Sequence, residues 1–415
     1  MPQRITRRQF LSTGSAALFL AATYRAQALE ANTPFDPWQP GFLDIHHIST
    51  GRGNSVLTIA PDGTSIMVDA GAVKGPTEPL AAVRPDATCR PGEWIARYAQ
   101  HHLRTAPSQQ LDYFLLTHFH GDHMGDLTPD SPTSTHGDYR LTGVTDVAEL
   151  LPIRTLIDRG YPTYDYPAPT TYDATQNYIR FVRAINKHNT TVERLAVGST
   201  KQIIPQHKPT PEFTIRNLAA NGEVWTGHGD ETKHLFPTLD TLQPNQYPPE
   251  NACSCALKMS HGPFSYYIGG DLTSDTLFGT APWLDVETSV ARAAGPVTVA
   301  ALDHHGYYDA TGADFVRAMR SRIYILQSWH ASHPALSTLD KLYSPLLYPG
   351  PRDVLATGLT DAAELADARL SDRFLSKQGH IVIRVHPGGR QYEVIVLDDT
   401  REAGNIKACF GPYFA

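Results

Sequence analysis

Thr117-His118-Phe119-His120-Gly121-Asp122-His123 places two imidazoles, a carboxylate and a third imidazole within six consecutive positions. Imidazole nitrogen and carboxylate oxygen are the donors that zinc and other borderline divalent ions take, and this spacing lets one tight loop present several of them together. Gly121 permits the close turn such a loop needs. Two other strings share this character. Ile268-Gly269-Gly270-Asp271 ends a predicted strand in a carboxylate, although Gly-Gly-Asp alone is also an ordinary turn, and Leu302-Asp303-His304-His305-Gly306 ends another in paired imidazoles.

The elements that must hold these loops are legible from period and punctuation. Leu43–Ser49, Ser55–Ala60 and Ser65–Asp69 read as strands bounded by Gly, Asp or Pro, with Pro61-Asp62-Gly63 turning the last two into a hairpin. Residues 91–104 read as a helix with Pro91 in its first turn and Trp94, Ile95, Tyr98 and Leu103 along one side. Leu111–Leu116 is a buried strand that delivers the His118 loop to its carboxyl end. After an irregular stretch come strands at 252–259, 264–268 and 297–302, a helix near 311–321 and a strand at 322–326. His380–Val385 and Gln391–Leu397 form a closing hairpin around Pro387-Gly388-Gly389. The fold class is α/β with layered sheets. Residues 127–250, rich in Pro, Tyr and Thr, read as one large insertion with a helix at 173–188 and a strand near 213–218. Long excursions in a compact fold tend to shape the site. His46 and His47 lie in an alternating strand, one inward and one outward, as core or surface residues.

Thr6-Arg7-Arg8-Gln9-Phe10-Leu11, an apolar run to Ala22 and Ala26-Gln27-Ala28 follow the order of a twin-arginine export signal. The expectation is a signal peptide over 1–28, a mature chain from near Leu29, passage through the twin-arginine machinery and a periplasmic location. No run reaches the roughly 18–20 apolar residues of a spanning helix. Removing 1–28 leaves 31 basic against 42 acidic residues, a charge of −11, which disfavours broad grip on a nucleic-acid backbone. Cys253 and Cys255 share a strand face and read as small core residues; a Cys89–Cys409 bridge is permitted in an oxidising compartment but has no local support.

The histidine string resembles the H-x-H-x-D-H signature of the metallo-β-lactamase superfamily. Leu43–Leu57, Pro61-Asp-Gly63, Met67–Gly71, Asn251-Ala-Cys-Ser254, Gly270-Asp271, His304-His-Gly306 and His333-Pro334 follow, in order, the branch with the nuclease-like domain of DNA-uptake (ComEC) proteins and a phosphorylcholine esterase. The resemblance implies an αββα sandwich with one or two metal ions, zinc first, manganese and iron being alternatives. His118 and His120 match first-site ligands, Asp122 and His123 second-site ligands, and Asp271 the bridging carboxylate. His304 is preferred as the last metal histidine, with His305 directed toward substrate or behind the ligands. Asp69 is either an orienting carboxylate behind the loop or a strand-end turn. The histidine usual between the first motif and the bridging aspartate is missing; His136, His228 and His234 are candidates, and the first site is otherwise three-coordinate. Gly53-Asn54 and Tyr307 replace the branch's Gly-Asp and small residue.

The chemistry implied is hydrolysis by a metal-activated water, with Asp122 both ligand and water-orienting group. His333 has two readings, a substrate hydrogen bond or a loop anchor; His330, Tyr307 and Tyr308 are first of all packing residues. A small molecule or headgroup bearing a phosphoester or phosphodiester is the expected substrate. Alternatives are a carboxylic ester, lactone or amide, one-iron sulfur oxidation, and a non-catalytic binding protein on this scaffold.

Overall fold

In the computed structural model, which describes residues 32–187, 190–366 and 368–415, two twisted sheets form behind these loops. The export signal read in 1–28 lies outside the described residues. Strands β1 (Leu43–His47), β2 (Val56–Ile59) and β3 (Ser65–Val68) form the expected antiparallel meander. After helix α1 (Pro91–Leu103), strand β4 (Leu111–Leu115) pairs parallel to β3 and leads into the short helix α2 (Gly121–Met124). Helices α3 (Val144–Leu150) and α4 (Asp173–Ile185) then alternate with the parallel strands β5 (Ile153–Asp158) and β6 (Thr191–Arg194).

The second sheet begins with β7 (Phe213–Ala220), β8 (Glu223–Trp225) and β9 (Thr232–His234), followed by the hairpin β10 (Ala256–His261) and β11 (Phe264–Ile268). Helices α5 (Val286–Ala294), α6 (Ala313–Met319) and α7 (Leu336–Leu342) connect the parallel strands β12 (Val299–Ala301), β13 (Ile323–Leu326) and β14 (Asp353–Ala356). Finally β15 (His380–Val385), β16 (Gln391–Leu397) and β17 (Ile406–Phe414) return to the first sheet beside β1. Among the described residues the orders are β17-β16-β15-β1-β2-β3-β4-β5-β6 and β14-β13-β12-β11-β10-β7-β8-β9.

Alternation along the strands makes the layers. Ile45, Val56, Ile66, Val68 and Leu115 meet Leu257, Phe264, Tyr266, Val299 and Ile325 in one core between the sheets. Their strand neighbours Leu57, Met67 and Phe114 pack instead on Ile95, Val147 and Phe181 of the first helical layer. On the far side, Tyr267, Ala300 and Tyr324 pack on Val290, Phe315 and Leu339. The chain is therefore an α/β protein of αββα architecture, each sheet buried on both faces.

Two expectations change. Residues 127–250 are not one excursion, because β5 and β6 extend the first sheet and β7–β9 the second; β6, β8 and β9 are only three or four residues long, too short for their periodicity to show. His46 and His47 do point to opposite faces, yet both are buried, one against Tyr98 of α1 and the other against Tyr266 across the sheet interface. Cys253 and Cys255 are buried and unbridged, and Cys89 and Cys409 are also free thiols.

Candidate metal centre

Parallel strands end their buried runs on one edge, and the polar residues just beyond them converge there. The loop after β4 supplies His118, His120, Asp122 and His123. The turn after β11 supplies Asp271, the turn after β12 His304 and His305, and the segment after β13 His333. The turns are tight for a physical reason. A Cβ on Gly121 would lie 2.1 Å from an Asp126 carboxylate oxygen, and Gly270 adopts φ +59° with Thr117 pressed against it.

Two groups of donor atoms result, the atoms within each lying within 4.8 Å of one another: His118, His120 and Asp271, and Asp122, His123, Asp271 and His305. His118 Nε2 and His120 Nδ1 face each other at 3.1 Å. His123 Nε2 is 3.0 Å from Asp271 Oδ1 and 3.5 Å from Asp122 Oδ2, while His305 Nε2 is 2.8 Å from Asp122 Oδ2 and 3.4 Å from Asp271 Oδ2. Despite their proximity, His123 Nε2 and Asp271 Oδ1 make no hydrogen bond of acceptable geometry. Buried nitrogen and carboxylate donors that converge, two of them with no hydrogen-bond partner, are a donor set a divalent ion can use, so the residues fit a metal. Asp271 belongs to both groups, as a bridging carboxylate must.

The outer partners fix which ring nitrogen is offered. His123 Nδ1–H donates to Asp69 Oδ2 at 2.7 Å, and Asp69 also accepts from the Thr117 N–H and hydroxyl, both at 2.8 Å. Asp69 thus orients the loop rather than merely ending β3. His305 Nδ1–H donates to the Gln327 carbonyl at 3.1 Å, leaving Nε2 for the site. Asn54 N–H donates to the Asp122 carbonyl at 2.8 Å, so its grip on the loop is through backbone.

The preference for His304 over His305 is reversed. His304 Nδ1–H donates to Asp309 Oδ1 at 2.7 Å, and its Nε2 takes the Asn251 amide at 3.1 Å, 3.8 Å from Asp271. It stands at the rim, whereas buried His305 is in the ligand group. The two histidines occupy consecutive left-handed conformations, φ +44° and +54°, and this kink throws adjacent side chains to different places. Each such residue costs about 1–3 kcal/mol, held by the surrounding structure. His333 stacks on His305 at 4.6 Å and 18°, and its carbonyl accepts from the Ser328 hydroxyl, so it supports the loop and lines the site at once. Tyr307 lies against His304 and His333, Tyr308 is largely exposed, and His330 bonds Ser332. His136, His228 and His234 are all exposed and outside both donor groups.

Burial would neutralise every ionisable group here, and for His118 it does, helped by the His123 charge, so that imidazole stays neutral. For His123 burial is outweighed by Asp271, Asp122 and Asp69, which hold its pKa well above normal. Burial is likewise overcome at His305, raised to about 9 by Asp271 and Asp122. Asp122 and Asp271 are held well below the usual carboxylate range against burial, chiefly by His123 and then His305. A bound divalent ion would take the place of those protons.

Three contributors carried no recognisable sequence signal. Glu250 accepts the Phe119 N–H at 2.8 Å and so pins the middle of the His118-Phe119-His120 run. Arg159, 91 positions away, pairs with that carboxylate through Nε and Nη2. Asp309, immediately after the Tyr307-Tyr308 pair, orients His304.

No protein-family model and no curated protein matches the chain. Among solved structures, it is similar to a protein of Parabacteroides distasonis provisionally named a metal-dependent hydrolase, with a TM-score of 0.36 and 15% identity over 79% of this chain and 99% of that one. It is also similar to a variant of the CmlA β-hydroxylase, with a TM-score of 0.37 and 12% identity over 85% of this chain. The chain spans 55% of the length of that second protein.

Proposed function

We propose that this chain is a metal-dependent hydrolase of phosphoesters or phosphodiesters, exported to the periplasm by the twin-arginine route. The observation that carries the reading is the pair of His/carboxylate groups sharing Asp271. Zinc is the first candidate for such nitrogen and oxygen donors, with manganese and iron also compatible. His118, His120 and Asp271 would hold one ion, and Asp122, His123, His305 and Asp271 another. A divalent ion there lowers the pKa of coordinated water toward neutrality and polarises a phosphoryl oxygen.

The protein's own groups then divide the remaining work. Asp122, backed by His305, presents a carboxylate to orient an attacking water. Asp69 and the Gln327 carbonyl keep His123 and His305 in the required tautomers. His333 stays neutral, because burial and then the His305 charge both lower its pKa, so it serves as a hydrogen-bonding rather than a charged group. The phosphoester assignment follows the branch resemblance of the motif series; the acidic net charge disfavours duplex nucleic acid.

Elemental analysis of the purified protein, paired with hydrolysis of bis(p-nitrophenyl) phosphate before and after chelation, tests this. One or two zinc or manganese ions with chelator-sensitive turnover are expected. Iron with oxygen consumption would redirect the assignment to redox chemistry, and no turnover after metal reconstitution would leave a binding protein.

A further inference from the structure

Beside His120 opens a cavity of about 440 Å³, a size that suits a substrate substituent. It is lined by the aromatic side chains Phe119, Tyr164, Tyr166 and Tyr172, with Arg159 and Glu250 as its ion pair. Arg159 is 3% exposed at its side chain, and four of its five N–H donors are occupied. Nε and Nη2 go to Glu250, while Nη1 goes to the Tyr166 carbonyl at 3.2 Å and to Asn221 Oδ1 at 3.0 Å. Glu250 is equally committed, to Arg159 and to the Phe119 N–H. A charged substrate group would have to compete with a largely buried pair that also anchors the His118–His120 loop.

The walls are equally committed. The Tyr164 hydroxyl donates to buried Asp158 Oδ2 at 2.8 Å, and the Tyr172 hydroxyl donates to Asp126. Two phenols are thereby tied at their polar ends while their rings line the cavity. Tyr166 is held at its carbonyl by Arg159 and is half-buried, with no hydrogen bond from its hydroxyl among the described residues. Aromatic walls of this kind favour another ring in offset or edge-to-face contact over a flexible chain of equal area.

We propose that this pocket binds an uncharged, ring-bearing substituent of the phosphoester substrate, with Tyr166 as a specificity-determining residue. The inference rests on the phosphoester reading above for the identity of the reacting bond, but the pocket's chemistry does not require turnover. Two measurements separate the two claims.

The first compares p-nitrophenyl phenyl phosphate with p-nitrophenyl methyl phosphate, which share the bond broken and the leaving group. The expected kcat/KM ratio, phenyl over methyl, is roughly tenfold or more, falling to about twofold in Tyr166→Ala and in Ala168→Trp, which fills the cavity from an exposed position. Equal values in the parent protein, or a preference that survives both substitutions, would overturn the proposal. The second uses the metal-free full-length protein and saturation-transfer NMR with p-cresol, against benzoate and benzylammonium. Transfer to p-cresol alone, lost in both variants whose thermal midpoints match the parent's, is expected. Equal transfer to a charged ring, or p-cresol signals unchanged in the variants, overturns the pocket assignment even where neither phosphodiester is hydrolysed; failure of hydrolysis with p-cresol bound as expected overturns only the phosphoester reading.

Discussion

The protein builds two histidine clusters and gives them opposite electrostatics. At the sheet edge, His123 and His305 sit among Asp69, Asp122 and Asp271, and their pKa values rise despite complete burial. Behind the first sheet, His46, His102 and His380 pack around Tyr98 with ring centroids 4.3–5.7 Å apart in their contacts. There the partners are neutral: His46 Nδ1 meets the Tyr98 hydroxyl at 3.0 Å, and His380 Nδ1 accepts the Ser49 N–H at 3.0 Å. Burial lowers all three pKa values, and for His46 the Arg384 charge lowers it further. Equal burial and the same side chain thus yield a cation site in one place and a neutral packing cluster in the other. The deciding variable is direct carboxylate contact: Asp271, Asp122 and Asp69 touch the rings of His123 and His305, whereas the pull of Asp399 and Asp398 on His380 is outweighed by burial.

The sharpest way to break that contrast is Asp271→Asn, which removes the carboxylate common to both donor groups. Turnover should fall roughly a thousandfold, the equivalent of about 4 kcal/mol, with metal content falling in parallel. Full activity with normal metal content would remove Asp271 from the mechanism. Next, if the proposed donor groups hold metal, His305→Gln should weaken metal retention at least about 100-fold and His304→Gln roughly tenfold or less, because only the former belongs to a donor group; competition against a chromophoric chelator measures both. The reverse order would restore His304 as the ligand. Asp69→Asn removes the acceptor that fixes the His123 tautomer and should cost about 10–100-fold in metal affinity. In the same assay, affinity should rise with pH toward about 9, where His305 gives up its proton, by roughly tenfold per unit for each proton displaced. A flat profile would show that no such proton is displaced.

What the sequence disclosed follows from locality. The candidate donors of His118–His123 lie within one loop, and strands such as Leu111–Leu115 announce themselves by short apolar runs, so the layers and five of the six candidate donor positions were readable. The choice between His304 and His305 was not, because it depends on two consecutive left-handed residues that no propensity predicts. Nor was the Arg159–Glu250 anchor, whose partners lie 91 positions apart, one just past β5 and the other in a turn ahead of β10, and meet only after folding. Apart from β7, anticipated near 213–218, the strands within 127–250 were hidden for a related reason. β8 and β9 have three residues each, too short for alternation to show, and they are held by pairing with neighbours already placed.

The packing cluster supplies the smallest effect and the opposite sign. His380 is depressed to about 4 by burial, so in the metal-free protein the folded state refuses a proton that the unfolded chain accepts below about pH 6.5. Its contribution to stability is complete above the unfolded pKa and is lost as pH falls toward the folded one. Between pH 7 and pH 5 that is about 2 kcal/mol for this residue alone. His305 runs the other way, stabilising the metal-free fold below pH 6.5 and ceasing to do so as pH rises through about 9. Urea denaturation of the metal-free protein across pH 4.5–9.5 should therefore show stability falling on both sides of a neutral maximum. His380→Asn, which keeps an acceptor for the Ser49 N–H but cannot be protonated, should flatten the acid limb and leave the alkaline limb in place. If the acid limb keeps its slope in that variant, His380 is not among the groups taking up protons there, and the division between the two clusters would have to be redrawn with His46 and His102 alone on the neutral side.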